Sequence, residues 1–286
     1  MSTAVLVDVA TLAAELAQDR CDLRLVDARA VLGDAQAGRE AFAAGHLPGA
    51  VHADLERDLS DHAAHGQGRH PLPASQAFRA TLGRWGIGPA QRVLVYDAGD
   101  GSMAAARLWW LLRLLGHSQV AVLDGGLAAW QAAGHGQTRE QAVAPDPGPY
   151  PGDFDRARIV DAGEVRARLD EPCGWLIDAR AAPRFAGEVE PIDAVAGHVP
   201  GAINRPYAAN LRDGRFRPPA ELCAELEALL HGRDPADAVL MCGSGVTACH
   251  LLLGFEHAGL AGPRVYAGSW SGWISDPGRP VARGPG

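Results

Sequence analysis

The chain has 286 residues, 47% of them hydrophobic, enough apolar material to fill the cores of two domains of ordinary size. Its formal net charge of −8 argues against nucleic acid or an anionic membrane surface as the main partner, and no basic stripe offsets that balance. All 26 basic residues are arginines, which excludes lysine Schiff-base chemistry and a lysine-containing phosphate loop.

In chain order, the first residues carry no basic leader segment and reach Asp8 too early for a signal-peptide core. No apolar run approaches membrane-spanning length, so a cytoplasmic location is expected, with neither membrane nor nucleic acid as a partner. Short apolar strands are predicted at 5–8, 23–26, 93–96 and 120–123, with amphipathic helices at 10–17, 74–85 and 103–115. The alternate prolines of Pro145, Pro147, Pro149 and Pro151 then forbid helix and favour an extended connector. Beyond them, strands are predicted at 175–177, 239–241 and 264–266, and helices at 162–169, 219–230 and 246–258. Such alternation implies an α/β fold in which parallel sheets carry helices on both faces.

The chain also repeats itself. Leu25-Val26-Asp27-Ala28-Arg29 returns as Leu176-Ile177-Asp178-Ala179-Arg180, and Gly45-His46-Leu47-Pro48-Gly49-Ala50 returns as Gly197-His198-Val199-Pro200-Gly201-Ala202. The two copies lie about 150 residues apart, too far for a solenoid, so they indicate duplicated domains. The expected division is an N-terminal domain over 1–141, a proline-rich linker over 142–157 and a C-terminal domain over 158–286. Since Asp27, Arg29 and His46 recur in both copies, their expected task, like that of Asp178, Arg180 and His198, is to tie loops together.

One difference between the copies carries chemistry. The strand 93–96 runs into Asp97, whereas its counterpart runs into Cys242, followed by Gly243-Ser244-Gly245-Val246-Thr247 and an apolar helix. The glycines allow the turn to curl its N–H groups inward, and a sulfur there also meets the positive end of a helix dipole. Both favour a negatively charged, nucleophilic sulfur at the carboxyl end of a strand, where open α/β sheets bind ligands. The competing reading is a small buried hydrophobe that closes the strand. The five cysteines, Cys21, Cys173, Cys223, Cys242 and Cys249, form an odd set without a Cys-x-x-Cys pair and read as reduced thiols, not as a disulfide framework or zinc site.

Asp-x-Arg after a strand, Gly-His-x-Pro-Gly-Ala, and Cys-Gly-Ser-Gly-Val-Thr in the second of two related halves resemble the tandem rhodanese family, and within it the 3-mercaptopyruvate sulfurtransferases. The resemblance implies two tandem rhodanese-like domains, only the second with a catalytic cysteine. It implies an enzyme in which Cys242 takes sulfur from a small-molecule donor as a persulfide, releases pyruvate, and passes the sulfur to cyanide or a thiol such as a thioredoxin-like protein. No metal or organic cofactor is implied. By position, the amides of Gly243, Gly245, Val246 and Thr247 would cradle the transferred sulfur and Arg184 would bind the donor's carboxylate. Ser244, His70 and Asp54 would polarise the donor carbonyl and move the proton. The neutral residues Gly243 and Ser244 suit a monoanionic donor better than thiosulfate, which is the alternative donor.

One departure bears on the donor. These enzymes place a second carboxylate-binding arginine after a Glu-Pro pair, where this chain has Glu190-Pro191-Ile192. Arg205, Arg212 and Arg215 are the candidates to supply the missing charge. A phosphatase of related fold would need an arginine closing a longer loop, and here the sixth residue after Cys242 is Ala248. A non-catalytic binding module is a remaining alternative, to which the first half, with Asp97 in place of cysteine, conforms more closely than the second.

Overall fold

Short apolar strands alternate with amphipathic helices to give two five-stranded parallel sheets in the computed structural model, which describes residues 4–18, 21–142 and 147–285. Residues 143–146 of the expected linker lie outside the described residues. The chain divides into two compact units. The first is Met1–Asp61, Pro73–Asp155 and Gly214–Phe216, and the second is His62–Leu72, Arg156–Asp213 and Arg217–Gly286.

In the first unit the order of elements is β1 (Leu6–Val7), α1 (Val9–Leu16), β2 (Leu23–Asp27), α2 (Ala37–Ala44), β3 (Ala50–His52), α3 (Ser75–Arg84), β4 (Arg92–Tyr96), α4 (Ala104–Leu114), β5 (Val120–Leu123) and α5 (Gly126–Ala132). Asp8 sets the start of α1, its carboxylate accepting the Thr11 N–H at 2.7 Å. The strands lie in the order β1-β5-β4-β2-β3. Val93, Leu94, Val95 and Tyr96 are all buried, and because successive residues of a strand point to opposite faces, both faces of the sheet are covered.

The second unit repeats the plan with β6 (Ile159–Val160), α6 (Ala162–Ala167), β7 (Leu176–Asp178), α7 (Ala182–Ala186) and β8 (Ile203–Asn204). Two short strands outside the five-stranded sheets follow, β9 (Leu211–Arg212) and β10 (Arg215–Phe216), residues 214–216 being those that cluster with the first unit. Then come α8 (Pro219–Leu230), β11 (Val239–Met241), α9 (Thr247–His257), β12 (Arg264–Tyr266) and α10 (Ser269–Trp273). The strand order is β6-β12-β11-β7-β8, which matches the first sheet strand for strand. From β11 the chain passes to β12 on one side, while from β7 it passes to β8 on the other, so the loops after β7 and β11 flank a topological switch point.

The repeated motifs do the same structural work in both units. The Asp27 carboxylate accepts Arg29 Nη2 at 2.6 Å, and Arg29 also donates to the Gly45 carbonyl at 2.7 Å; Asp178, Arg180 and Gly197 repeat this at 2.7 and 2.8 Å. His46 stacks on Phe42 and His198 on Phe185, each Nδ1 meeting the carbonyl of the residue it stacks on.

Residues His62–Leu72 precede the first unit's third helix in sequence yet belong to the second unit, where they lie on α10. The Arg69 N–H donates to Ser271 Oγ at 3.0 Å, and Ser275 Oγ donates to the Gly66 carbonyl at 3.0 Å. Gly68 makes the approach possible. It has φ +94°, and a Cβ there would stand 2.5 Å from the Gly268 carbonyl oxygen.

Candidate functional site

Cys242 follows β11 directly and is 1% exposed. Its backbone is fixed from the start of α10. The Cys242 N–H donates to Ser269 Oγ at 3.1 Å, and the carbonyls of Cys242 and Gly243 each accept at 2.9 Å, from the N–H groups of Trp270 and Ser271. Ser269 has φ +52°, a conformation disfavoured for a residue with a side chain, and its hydroxyl donates to the Tyr266 carbonyl at 2.9 Å. With its carbonyls turned toward α10, the loop is free to turn N–H groups toward the sulfur, and the Gly245 N–H donates to Cys242 Sγ at 3.1 Å. Gly245 has φ +80°, and a Cβ there would collide with the Ala267 carbonyl oxygen. Val246 precedes the first residue of α9, Thr247, so the loop runs straight into a helix N-terminus.

Ser244 and His70 meet. Both are buried, and Ser244 Oγ lies 2.8 Å from His70 Nδ1. His70 reaches the loop because the 62–72 excursion belongs to the second unit. Asp54 lies in the first unit, where its carboxylate pairs with Arg39 at 3.0 Å and accepts the N–H groups of Glu56 and Arg57 at 3.0 and 3.2 Å. Despite the cost of partial burial, these donors hold Asp54 below the usual carboxylate range.

Arg184 stands on α7, at the other side of the switch point, within reach of the loop. A Cβ on Gly243 would lie 3.5 and 3.6 Å from its Nη1 and Nη2. Its guanidinium is held by Glu190, with Nη2 2.7 Å from Oε1, and by Asp193, with Nη2 3.1 Å from Oδ2. Glu190 also accepts the N–H groups of Ile192 and Asp193, and is held below the usual carboxylate range by Arg184 and these amides despite its burial. Burial pushes Asp193 above its usual value, although Arg69 and Arg184 both pull it down.

The arginines considered as substitutes for the missing cation have other partners. Arg205 pairs with Glu225 at 2.9 Å and bonds Asn210, and Arg212 pairs with Glu221 at 2.6 Å. Arg215, clustered with the first unit, donates to the Asp124 carbonyl at 3.2 Å. Ile192 is exposed. Sequence reasoning missed Arg69, Asp193 and Ser269. The available signals were the adjacency of Arg69 to His70, the Glu190-Pro-Ile-Asp193 turn, and a serine following the glycine at the start of α10. Among the described residues, no group of three or more His, Cys, Asp or Glu is placed to hold a metal ion.

The first unit carries the same loop with a different occupant. Asp97 follows β4 as Cys242 follows β11, and its carbonyl accepts the Leu127 N–H at 2.9 Å as that of Cys242 accepts from Trp270. Its carboxylate accepts the N–H groups of Gly99 and Gly101 at 3.0 Å each and of Met103 at 3.4 Å, so an acidic side chain fills the cradle.

The family model for the rhodanese-like domain matches this chain twice, over residues 8–133 and 161–276. The chain belongs to the rhodanese-like family. This rhodanese-like chain is 48% identical to a probable 3-mercaptopyruvate sulfurtransferase of Pseudomonas aeruginosa, over 99% of its own length and 100% of the relative. It is 43% identical to a putative thiosulfate sulfurtransferase of Mycobacterium tuberculosis, over 86% of each chain. Among solved structures, the 3-mercaptopyruvate sulfurtransferase of Leishmania major is similar at a TM-score of 0.81 and 32% identity, covering 93% of this chain and 73% of that one.

Proposed function

We propose that this rhodanese-like protein is a 3-mercaptopyruvate sulfurtransferase whose sulfur carrier is Cys242. The observation that carries the reading is the loop itself: a buried sulfur at the end of β11 receiving the Gly245 N–H, with the Ser244–His70 pair and a guanidinium beside it. The names of its relatives support the same donor.

In this mechanism Arg184 holds the donor's carboxylate while the Cys242 thiolate attacks the donor sulfur. The S–S bond forms as the donor's C–S bond breaks, and the electron pair leaves on carbon as the enolate of pyruvate. Ser244, hydrogen-bonded to His70, polarises the donor carbonyl and relays the proton that converts the enolate to pyruvate. Asp54 holds the third place in this set on the strength of the family resemblance alone. The outer sulfur of the persulfide rests against the amides of Gly243, Gly245, Val246 and Thr247 until an acceptor thiolate attacks it, a thioredoxin-like dithiol being the proposed acceptor. The five cysteines, none of them in a disulfide, suit a reducing compartment, and we assign the protein to the cytoplasm, with 1–141 as the domain without a catalytic cysteine and 158–286 as the catalytic one.

Incubation with 3-mercaptopyruvate followed by intact-mass measurement tests this reading. A gain of about 32 Da, one sulfur atom, is expected on the wild type and not on Cys242→Ser. A wild type that gains sulfur from thiosulfate and none from mercaptopyruvate would overturn the donor.

A further inference from the structure

Two consecutive residues at the start of α10 bind both backbone polar groups of Cys242. The Cys242 N–H donates to Ser269 Oγ at 3.1 Å, and the Cys242 carbonyl accepts the Trp270 N–H at 2.9 Å. A hydroxyl has one proton, and Ser269 gives it to the Tyr266 carbonyl at 2.9 Å, so toward Cys242 the Ser269 oxygen is an acceptor. Ser269 makes this grip with φ +52°.

The first unit shows which residue that conformation ordinarily takes. There the Asp97 carbonyl accepts the Leu127 N–H, so Gly126 stands where Ser269 does, and Gly126 has φ +54°. Glycine enters this region without steric cost, whereas a serine is strained in it. A Cβ on Gly126 would also stand 2.5 Å from the Gly99 carbonyl oxygen and 2.7 Å from that of Asp97. Both copies therefore keep the backbone angle. Only the copy with the cysteine carries a side chain on it, and that side chain is bonded to the cysteine. Strain of this kind persists where neighbours over-determine it, and here Trp270 does so. It is fully buried, its indole N–H donates to the Val195 carbonyl at 2.8 Å, and the Arg180 guanidinium carbon lies 4.8 Å from the centre of its ring.

We infer that Ser269 is a positioning residue for the sulfur step, its strained backbone retained so that its hydroxyl fixes the Cys242 backbone; the inference rests on Cys242 being the sulfur carrier. With the N–H and carbonyl of Cys242 both held, its Cα is pinned from two sides, and the Gly245 N–H at 3.1 Å sets the direction of Sγ. Attack on a donor sulfur depends on that placement, and a displacement of about 1 Å can cost about 100-fold in rate. Without the hydroxyl the buried Cys242 N–H loses its acceptor, and the strand end can shift to find another. Arg184, which takes the donor's carboxylate in the proposed mechanism, has no bond to Ser269, so the loss falls on rate and not on donor affinity.

Ser269→Gly and Ser269→Ala test this together, each measured for thermal unfolding and for the single-turnover gain of sulfur from mercaptopyruvate, by rapid quench and intact mass. Both lack the hydroxyl, but glycine relieves the left-handed strain that alanine keeps, so Ser269→Gly is expected to unfold at the higher temperature of the two. The maximal rate of sulfur uptake is expected to fall about 10- to 100-fold in both alike, with the half-saturating concentration of mercaptopyruvate nearly unchanged. A Ser269→Gly that takes up sulfur at the wild-type rate, a rate that follows the melting temperature from one variant to the other, or a loss confined to the half-saturating concentration would overturn the inference. A wild type that takes sulfur from neither mercaptopyruvate nor thiosulfate would instead overturn the reading of Cys242 as the carrier, before any variant is compared.

Discussion

In the proposed mechanism the Ser244 hydroxyl, 2.8 Å from a buried imidazole nitrogen and two residues along the loop from Cys242, moves a proton. Proton transfer by a positioned side chain contributes typically 10²- to 10⁴-fold to rate, so Ser244→Ala and His70→Gln are each expected to lower kcat at least about 100-fold while changing KM much less. Steady-state kinetics with mercaptopyruvate checks this, and a loss confined to KM would remove the relay from the mechanism. Cys242 stands out by its own glycine-flanked loop, whereas Ser244, His70 and Arg184 enter the sequence reading only through the family resemblance. The sequence reading singles out neither Arg69 nor Asp193, since a lone arginine and a lone aspartate in loops have solvated surfaces as their ordinary fate, and only folding brings Arg69 to Gly243 and Asp193 to Arg69 and Arg184.

At the level of elements, the site depends on close backbone approaches that side chains would block. Gly245 combines φ +80° with the Ala267 carbonyl where a Cβ would stand, and it is also the residue whose N–H reaches the sulfur. Gly245→Ala is therefore expected to destabilise the protein by about 1–3 kcal/mol or more, from left-handed strain and the clash together, and to reduce persulfide formation. Thermal unfolding and mass measurement on the same preparation would show both losses, and an unaltered melting temperature would mean that the loop has another low-energy path. The long apolar strands and helices were legible because their periodicity is sustained, and β4, β11 and α8 fall within a residue of expectation. The short elements α2, β3, α5, α7, β8 and α10 were missed, since two to eight residues without a continuous apolar run show too little of a period to separate from loop. The membership of 62–72 in the second unit was invisible for a different reason: it is decided by contacts with α10, which no local pattern encodes.

Across the whole molecule, duplication has left two versions of one loop, and burial titrates one of them. Desolvation pushes Asp97 up to about 6 from an ordinary 3.8, against the pull of the Gly101 and Gly99 amides. Between those values the folded state holds a proton that the unfolded state has released, so stability from this group falls as pH rises through the window and is regained on acidification. His52 and His117, both lowered by burial, act in the opposite sense below about 6.5, because the unfolded chain protonates them first. The Asp97 contribution is therefore isolated by difference: relative to Asp97→Asn, the wild type should gain stability as pH falls from about 6 toward 4, in chemical denaturation at several pH values. A difference independent of pH would mean that Asp97 titrates normally.

Under the proposed mechanism that carboxylate also limits how much sulfur the chain can carry. In the first unit the Asp97 oxygens already accept the N–H groups of Gly99, Gly101 and Met103, and an anion so held is no nucleophile toward a donor sulfur. Replacing Asp97 by cysteine would supply a sulfur but neither a serine at the position matching Ser244, where Gly99 stands, nor a guanidinium placed as Arg184 is beside Gly243. In the proposed mechanism a cradle of amides holds the sulfur once it has arrived, while Arg184 and the Ser244–His70 pair bring it there. With excess mercaptopyruvate, the wild type and Asp97→Cys are both expected to gain one sulfur per chain, on Cys242, by intact mass and peptide mapping. A second sulfur on the residue introduced at position 97 would show that the amide cradle alone suffices, and would shift the basis of catalysis from Arg184 and the relay to the loop backbone.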